Sequence, residues 1–266
     1  MPRFNKYGFY ERSVQTPEAH VEMFVEFYKD LNGGKYARKL REDFCGTFKM
    51  SCEWVKRNRR NSAIALDLDP EPVAYGKRHH LAELNAEQRS RIQPLLMDVR
   101  TITKPLSDVI IAGNFSFNIF KKREELREYF RFCRRSLAAG GILVLEVAGG
   151  PGMIEPVKER KPVYGKNRKR EFTYIWDQKE FDPITGDALY AIHFEMADGK
   201  TYKNVFTYDW RLWSLPELQE IMREAGFKNA HIFWETSHRG RGTGEYARTK
   251  KADNAYAWIA YAVGVK

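Results

Sequence analysis

The stretches Leu40-Arg-Glu-Asp-Phe-Cys-Gly-Thr47 and Ala63-Ile-Ala-Leu-Asp-Leu-Asp-Pro70 decide the fold of this chain. In the second, a short apolar run over 62–66 ends at Asp67, and Asp69 followed by Pro70 supplies a helix N-cap and a first helical residue. The helix it opens is expected to reach about residue 85. In the first, charged residues crowd 37–44, yet Gly46 sits where a strand gives way to a helix expected over 47–57. Working outward, 92–97 reads as a strand ending at Asp98, and 108–112 as another. An amphipathic helix over 123–138 carries Leu126, Tyr129, Phe130, Cys133 and Leu137, and 142–147 is a buried strand after Gly140-Gly141. Short apolar runs separated by helices imply parallel strands covered on both faces, so the expected fold class is α/β with a doubly wound sheet. Ligands bind such sheets at the carboxyl ends of the strands.

Composition agrees with this reading. The chain has 266 residues, 43% hydrophobic and 14% aromatic, with 30% charged. That excludes disorder, collagen-like repeats and coiled coil. Three cysteines without a C-x-x-C pair argue against a disulfide framework and a zinc cluster, and a cytoplasmic location is expected. No segment reads as targeting or membrane-spanning; the longest apolar run, 255–265, is about half the ~20 residues a spanning helix needs. The net charge of +10 permits an acidic or nucleic-acid partner without demanding one. Among the basic stretches, 158–170 and 239–251 contain few acids and are the better candidates for an anion-facing surface.

Four segments follow from the pattern. Residues 1–34 form an N-terminal helical segment, with a helix over 17–31 capped by Thr16 and stopped by Asn32-Gly33-Gly34. Residues 35–147 form a cofactor-binding α/β core. Over 148–210 the period changes to two, through Phe172, Tyr174 and Trp176 and again through Tyr190, Ile192, Phe194 and Met196. This predicts an antiparallel insertion of three strands, placed as a substrate cap. Residues 211–266 complete the core, with a capping box at Ser214-Leu-Pro-Glu217, a strand over 230–234, a Gly/Arg-rich loop over 237–252 and a last strand over 255–263.

Three acids follow three successive strands. Glu42 precedes Phe44-Cys45-Gly46-Thr47, where a glycine lets the backbone approach a ligand. Asp67 is placed to accept from the two hydroxyls of a ribose; a helix cap is its competing role, which Asp69 fills better. Asp98 is placed to accept from an exocyclic amine.

This order resembles the class I S-adenosylmethionine-dependent methyltransferases. The resemblance rests on the two opening stretches, Leu95-Leu-Met-Asp98, the glycine turn within Leu137-Ala-Ala-Gly-Gly-Ile-Leu-Val-Leu145, and Ser214-Leu-Pro-Glu-Leu218 through Glu224-Ala-Gly-Phe227. It spans about 35–263. Within the class, LREDFCGT, the FDPITG turn at 181–186 and YDWRLWSLPEL at 208–218 resemble a bacterial subgroup. The resemblance implies a seven-stranded Rossmann-like methyltransferase sheet with an antiparallel β insertion, and S-adenosylmethionine as cofactor. It implies that Glu42, Phe44, Cys45, Gly46 and Thr47 hold the methionine portion. Asp67 and Leu68 then meet the ribose, Asp98 and Val99 the adenine, and Asn114 the sulfonium end. The family's turn usually carries three glycines. Here Gly46 alone remains, and Phe44 and Phe48 stand in the outer positions, where either ring can force a different backbone or narrow the methionine site. A G-x-G-x-x-G pattern, which a dinucleotide oxidoreductase requires, is absent.

Asn114-Phe115-Ser116-Phe117 resembles, without its prolines, the N-P-P-[YF] signature of nucleobase amino methyltransferases, in which the Asn accepts from the target amine. Asn114 is therefore one catalytic candidate. His193 is the other, as a base on the insertion. Tyr174 and Trp176 are placed to bind a cationic or amine substrate on their aromatic faces. Arg211, between Trp210 and Trp213, is placed to pair with a substrate carboxylate or phosphate, or with Asp209. Tyr7 and Tyr10 either fold over the cofactor or belong to a surface tail. No metal-ligand spacing, P-loop or Ser–His–Asp order is present.

The expected function is methyl transfer to N or O of a small molecule held between the core and the insertion. Two alternatives stand beside it. One is methylation of RNA or another polyanion, motivated by the charge and the two basic stretches. The other is a catalytically inactive fold relative acting as a binding module, motivated by Phe44 and Phe48. A small-molecule partner is expected, nucleic acid is the second choice, no membrane partner is expected, and the oligomeric state is not legible.

Overall fold

A strand that carries Arg41, Glu42 and Asp43 at the centre of a sheet has to bury three charged groups. In the computed structural model, which describes residues 4–238 and 241–266, it does so by facing them two ways. Leu40 and Glu42 point to one side of the sheet and Arg41 and Asp43 to the other. Arg41 is fully buried, and its guanidinium donates to Asp43 at 2.6 Å, to the Thr101 carbonyl at 2.8 Å and to Ser136 Oγ at 2.9 Å. Asp43 also accepts from the Tyr129 hydroxyl at 2.9 Å. The pattern that obscures the strand in the sequence is thus a satisfied buried network.

The chain opens with α1 (Lys6–Val14) and α2 (Pro17–Leu31). There follow β1 (Lys39–Asp43), α3 (Lys49–Arg57), β2 (Ser62–Asp67), α4 (Pro70–His79), α5 (Ala86–Arg89), β3 (Ile92–Leu96), β4 (Ser107–Ala112), α6 (Arg123–Ser136) and β5 (Leu137–Gly149). Next come β6 (Val157–Tyr164), β7 (Arg170–Phe181), β8 (Asp187–Met196) and β9 (Thr201–Arg211), then α7 (Leu215–Glu224), β10 (Asn229–His238), β11 (Arg241–Thr249) and β12 (Trp258–Val265).

The main sheet runs β11-β10-β12-β5-β4-β1-β2-β3. β1 to β5 are parallel, β12 is antiparallel to β5 and β10, and the strand order reverses between β1 and β4. One core lies beneath α2 and α3, around Phe27, Trp54, Val109 and Val144. The other lies beneath α6 and α7, around Phe130, Leu143, Leu145 and Ile221. The second sheet, β6-β7-β8-β9, is wholly antiparallel. Cys45, Cys52 and Cys133 are free and buried. No helix among the described residues is long and apolar enough to cross a membrane.

Four expectations need correction. The main sheet has eight strands, not seven, because much of the stretch read as a Gly/Arg-rich loop forms β11. It pairs with β10, and the packing of Tyr246 edge-on against Tyr261 at 4.9 Å anchors it. The insertion has four strands, not three, because β6 joins its edge. β6 is exposed almost throughout, so it carries no apolar alternation to read. The helix after Asp69 ends at His79, and Asn85 caps α5 with a capping box of its own. The fourth correction is that the segment before Thr16, read as a fold over the cofactor or a surface tail with no helix of its own, forms α1, which puts Tyr7 and Tyr10 on the cleft. Tyr7, Phe9, Glu11 and Ser13 are all buried along it. It is covered on two sides, by the core and by the insertion, and so shows no single apolar stripe.

Removing one partner of a buried ion pair strands the other charge. Asp43→Ala is expected to lower unfolding stability by about 3–5 kcal/mol in urea titrations. The double variant Arg41→Met/Asp43→Leu is expected to recover much of that loss.

Candidate active site

Backbone sterics shape the first wall of the site. After β1 the chain enters the left-handed region at Phe44 (φ 53°), Gly46 (φ 52°) and Phe48 (φ 46°). An L side chain there costs roughly 1–2 kcal/mol, so the two phenylalanines need anchors, and they find them on opposite sides of the sheet. Phe44 packs edge-on against Phe120 at 6.0 Å and beside Tyr129 at 5.8 Å. Phe48 is fully buried in the other core. Its ring lies under Gly76 of α4, where a Cβ would come within 2.5 Å of the ring and 2.3 Å of the Thr47 carbonyl. Neither ring closes the cleft; Phe44 keeps one edge on it. Gly46 faces open space, and its N–H donates to Asp67 Oδ2 at 2.7 Å, while Asp67 Oδ1 accepts from the Asp69 N–H at 2.9 Å.

Glu42 lies beneath this turn and accepts from the Ser51 N–H at 2.8 Å and from the Ser51 hydroxyl. Burial pushes its carboxyl up to about 7, against the pull of the Ser51 bonds.

The second wall is α1. Its Glu11 is buried, accepts from Thr47 Oγ1 at 2.7 Å and lies 2.6 Å from His80 Nε2 and 3.2 Å from Lys49 Nζ. Burial opposes ionisation of Glu11, but the His80 and Thr47 bonds and the His80 and Lys49 charges outweigh it and hold the carboxyl below its usual value. The other face of α1 stacks Phe9 on Phe172 of β7 at 4.1 Å. The helix therefore wedges the insertion against the turn.

The third wall follows β4. Asn114 and Phe115 are both left-handed (φ 50° and 58°), and the Asn114 N–H donates to Glu146 Oε2 at 2.5 Å.

These walls enclose a cavity of about 460 Å³. Glu42, Phe44, Cys45, Gly46, Thr47, Asp67 and Asn114 line it. Leu68, Asp98 and Val99 do not. Leu68 is 68% exposed. Asp98 is held by Arg100 at 2.7 Å, whose hydrogen bond keeps its carboxyl below the usual range. Val99 is buried, and its carbonyl accepts from Arg41. A second cavity of about 630 Å³ opens beyond the first and includes Tyr174 and Trp176. The two share Tyr10, Asn114, Tyr208 and Trp210.

His193 and Arg211 lie elsewhere. β7 and β8 pair Ile175 with His193 and Trp176 with Ile192, so strand alternation turns His193 away from the Trp176 face. Its Nε2 lies 3.0 Å from Asp177 Oδ2, and its Nδ1 accepts from the Asn204 N–H at 2.7 Å. Both ring nitrogens are thus engaged on the outer face, which removes His193 as a base at the cleft. Arg211 stacks on Trp213 at 3.8 Å and donates to the Lys121 carbonyl at 3.0 Å. Lys121 pairs instead with Asp187 and Asp209. Arg211 lines neither cavity, so it meets neither a substrate anion there nor Asp209.

Sequence reasoning did not single out Gln15, Tyr208, Trp210 or Glu146. Gln15 lines the first cavity, with a buried and unpartnered Oε1. Tyr208 and Trp210 carried a signal, the period-two alternation with Phe206 along β9.

No protein-family model and no curated protein sequence matches the chain. Solved structures do match. The sugar N-methyltransferase KedS8 from Streptoalloteichus aligns over 100% of this chain and 94% of its own, at TM-score 0.67 and 18% identity. S-adenosylmethionine-bound CalS10, an amino pentose methyltransferase from Micromonospora echinaspora, aligns over 100% and 98%, at TM-score 0.67 and 17% identity. An S-adenosylmethionine-dependent methyltransferase from Clostridium acetobutylicum aligns over 97% and 96%, at TM-score 0.70 and 13% identity. The chain has the Rossmann-like α/β fold of these methyltransferases.

A carboxyl whose folded value is raised to about 7 favours the folded state while it is protonated. That contribution fades as pH rises from the unfolded value through 7. Glu42→Gln, which keeps an acceptor for Ser51, is expected to stabilise the protein by up to about 3 kcal/mol at pH 8 and little at pH 5. Urea unfolding at the two pH values checks this.

Proposed function

We propose that this chain is an S-adenosylmethionine-dependent methyltransferase acting on N or O of a small molecule held between the α/β core and the β insertion. The observation that carries this reading is the meeting of two cavities at Tyr10, Asn114, Tyr208 and Trp210. One is walled by the left-handed turn after β1, the other by aromatic side chains of the insertion.

The residues of the first cavity fit the cofactor by their donor and acceptor chemistry. Asp67 offers acceptors to a ribose, and Glu42 and the unpartnered Gln15 Oε1 offer them to an ammonium group. Leu68, Leu96 and Met97 leave exposed apolar surface at the ends of β2 and β3, suited to an adenine ring. When bound, the cofactor supplies an electrophilic methyl group on a sulfonium.

The chain's own residues act by position. Glu146 holds the Asn114 backbone at the junction, and α1 lines both cavities through Tyr10. Burial pushes the phenols of Tyr10 and Tyr208 up, so both remain protonated at neutral pH and serve as hydrogen-bond donors there. Holding two reactants in line supplies about 7–11 kcal/mol of a displacement barrier, which suits a site without a base at the junction.

The alternatives find less support. The stretch 158–170 turns Glu159 to the second cavity and Lys158 and Arg160 to the outer face of the insertion, away from both cavities, and β11 contributes Tyr246. Arg239 lies outside the described residues. The Phe44 and Phe48 rings that motivate an inactive relative turn into the two cores and leave the cleft open.

Isothermal titration with S-adenosylmethionine and S-adenosylhomocysteine tests the reading. Binding is expected, with Asp67→Ala weaker by at least about tenfold, or 1.4 kcal/mol. No heat with either ligand would overturn the proposal. Binding justifies an acceptor screen with a labelled methyl donor.

A further inference from the structure

The second cavity has a charge that the whole chain does not. Lys and Arg outnumber Asp and Glu by 45 to 35, yet among the described residues the charged groups lining this cavity are Glu159 and Glu235, with no lysine, arginine or histidine. Glu159 sits opposite Trp176 in the β6–β7 pairing and so shares its face. A third carboxylate, Glu155, accepts from the Tyr256 hydroxyl at 2.6 Å where Tyr256 lines the cavity. The rest of the wall is largely aromatic. Trp176 stacks on Tyr190 at 5.1 Å, and Tyr208 packs on Trp210 at 4.5 Å.

Beside the phenol hydroxyls of Tyr10 and Tyr208 at the junction, the donors of Trp176 and Gln178 in this wall are engaged within the protein. The Trp176 indole N–H donates to Gln178 Oε1 at 3.1 Å. The Gln178 amide donates to the carbonyls of Gly152 at 2.8 Å and Glu155 at 2.7 Å. A ligand therefore meets π faces, neutral hydroxyls and carboxylate oxygens, with no cationic side chain among them. An anion finds no charge partner in such a wall, whereas an organic cation finds two kinds of attraction.

We infer that the acceptor is a hydrophobic amine bound as a cation, without phosphate or carboxylate, held by the aromatic wall and by Glu159 and Glu235. The inference deepens the methyltransferase reading and rests on it for the reaction, but not for the binding. The bound ammonium first gives one proton to water at the open mouth of the cavity. Its nitrogen lone pair then forms the N–CH₃ bond as the C–S bond breaks, and the electron pair of that bond stays on sulfur. Positive charge passes from sulfur to nitrogen, and the methylated ammonium is left among the carboxylates and aromatic faces. The wall is thus placed to stabilise charge where it develops. The same wall disfavours acceptors linked to a nucleoside diphosphate.

Three probes that share a phenylethyl group test the inference on the full chain without turnover: 2-phenylethylamine, 2-phenylethanol and 3-phenylpropionate. Binding is read at pH 7.5 by quenching of tryptophan fluorescence, since Trp176, Trp210 and Trp258 line the cavity. The amine is expected to bind about tenfold or more tighter than either other probe. Glu159→Gln/Glu235→Gln should remove that preference while keeping the acceptor that Gly244 N–H uses at position 235. Circular dichroism checks the fold of the double variant, and Glu159→Gln alone, at an exposed position, is expected to lose part of the preference. The inference is overturned if the propionate binds as tightly as the amine, if no probe binds, or if the preference survives in the double variant.

Equilibrium dialysis with labelled S-adenosylmethionine runs in parallel. Amine preference without cofactor binding would sink the methyltransferase reading and leave the amine site standing. Cofactor binding without amine preference would sink this inference alone.

Discussion

Left-handed backbone at three of the five residues from Phe44 to Phe48 is the constraint on which the rest of this structure depends. Glycine meets that geometry at no steric cost. Here two of the three positions carry phenylalanine, and the surrounding structure supplies what glycine would have avoided. Phe48 is locked under Gly76, whose missing Cβ makes room for the ring, and Phe44 is locked against Phe120 and Tyr129. The strain is spread over two cores on opposite faces of the sheet. The backbone between them bends around the cleft, with the Gly46 N–H turned to Asp67.

Buried charge holds the surroundings of that turn in place. On one face of β1, Arg41 and Asp43 tie the strand to α6 and to the segment 99–103. On the other, Glu42 is tied to the first turn of α3. Glu11 connects α1 to Thr47 and His80. Each of these groups would be expensive to bury alone, and each has a partner. The result is that α1, the turn and the insertion share one set of contacts. The two cavities they border meet along a wall built from α1, β9 and Asn114 in the turn after β4.

The parts of the fold legible in the sequence are those whose burial is uniform. β2, β4 and β5 are covered on both faces and read as apolar runs. α6 and α7 are covered on one side and show a stripe. Asp69 and Ser214 cap their helices as their spacing requires. The parts that escaped are those with mixed or no burial. β6 and β11 are edge strands whose side chains are mostly in water. α1 is buried on two sides by different bodies. β1 carries charges that are satisfied by one another and by α3, α6 and the segment 99–103. The aromatic alternation of the insertion was legible, but which of its faces meets the core was not. That choice separates Trp176, which lines the cavity, from His193, which lies on the outer face.

What the sequence determined by itself was therefore the order of the five parallel strands and of most of the helices between them, the acids at the ends of those strands, and the change of period that marks the insertion. These are local properties: hydrophobic period, cap residues and turn residues act within a few positions along the chain. Only the tertiary structure decided that Phe48 turns into one core, that Phe44 is anchored against Phe120 and Tyr129 with one edge on the cleft, and that α1 borders it. It also decided that Asp98 answers to Arg100, and that the second cavity is lined by carboxylates in a basic protein. Each of these depends on groups distant in sequence meeting in space, and local spacing carries no record of which distant group will be there.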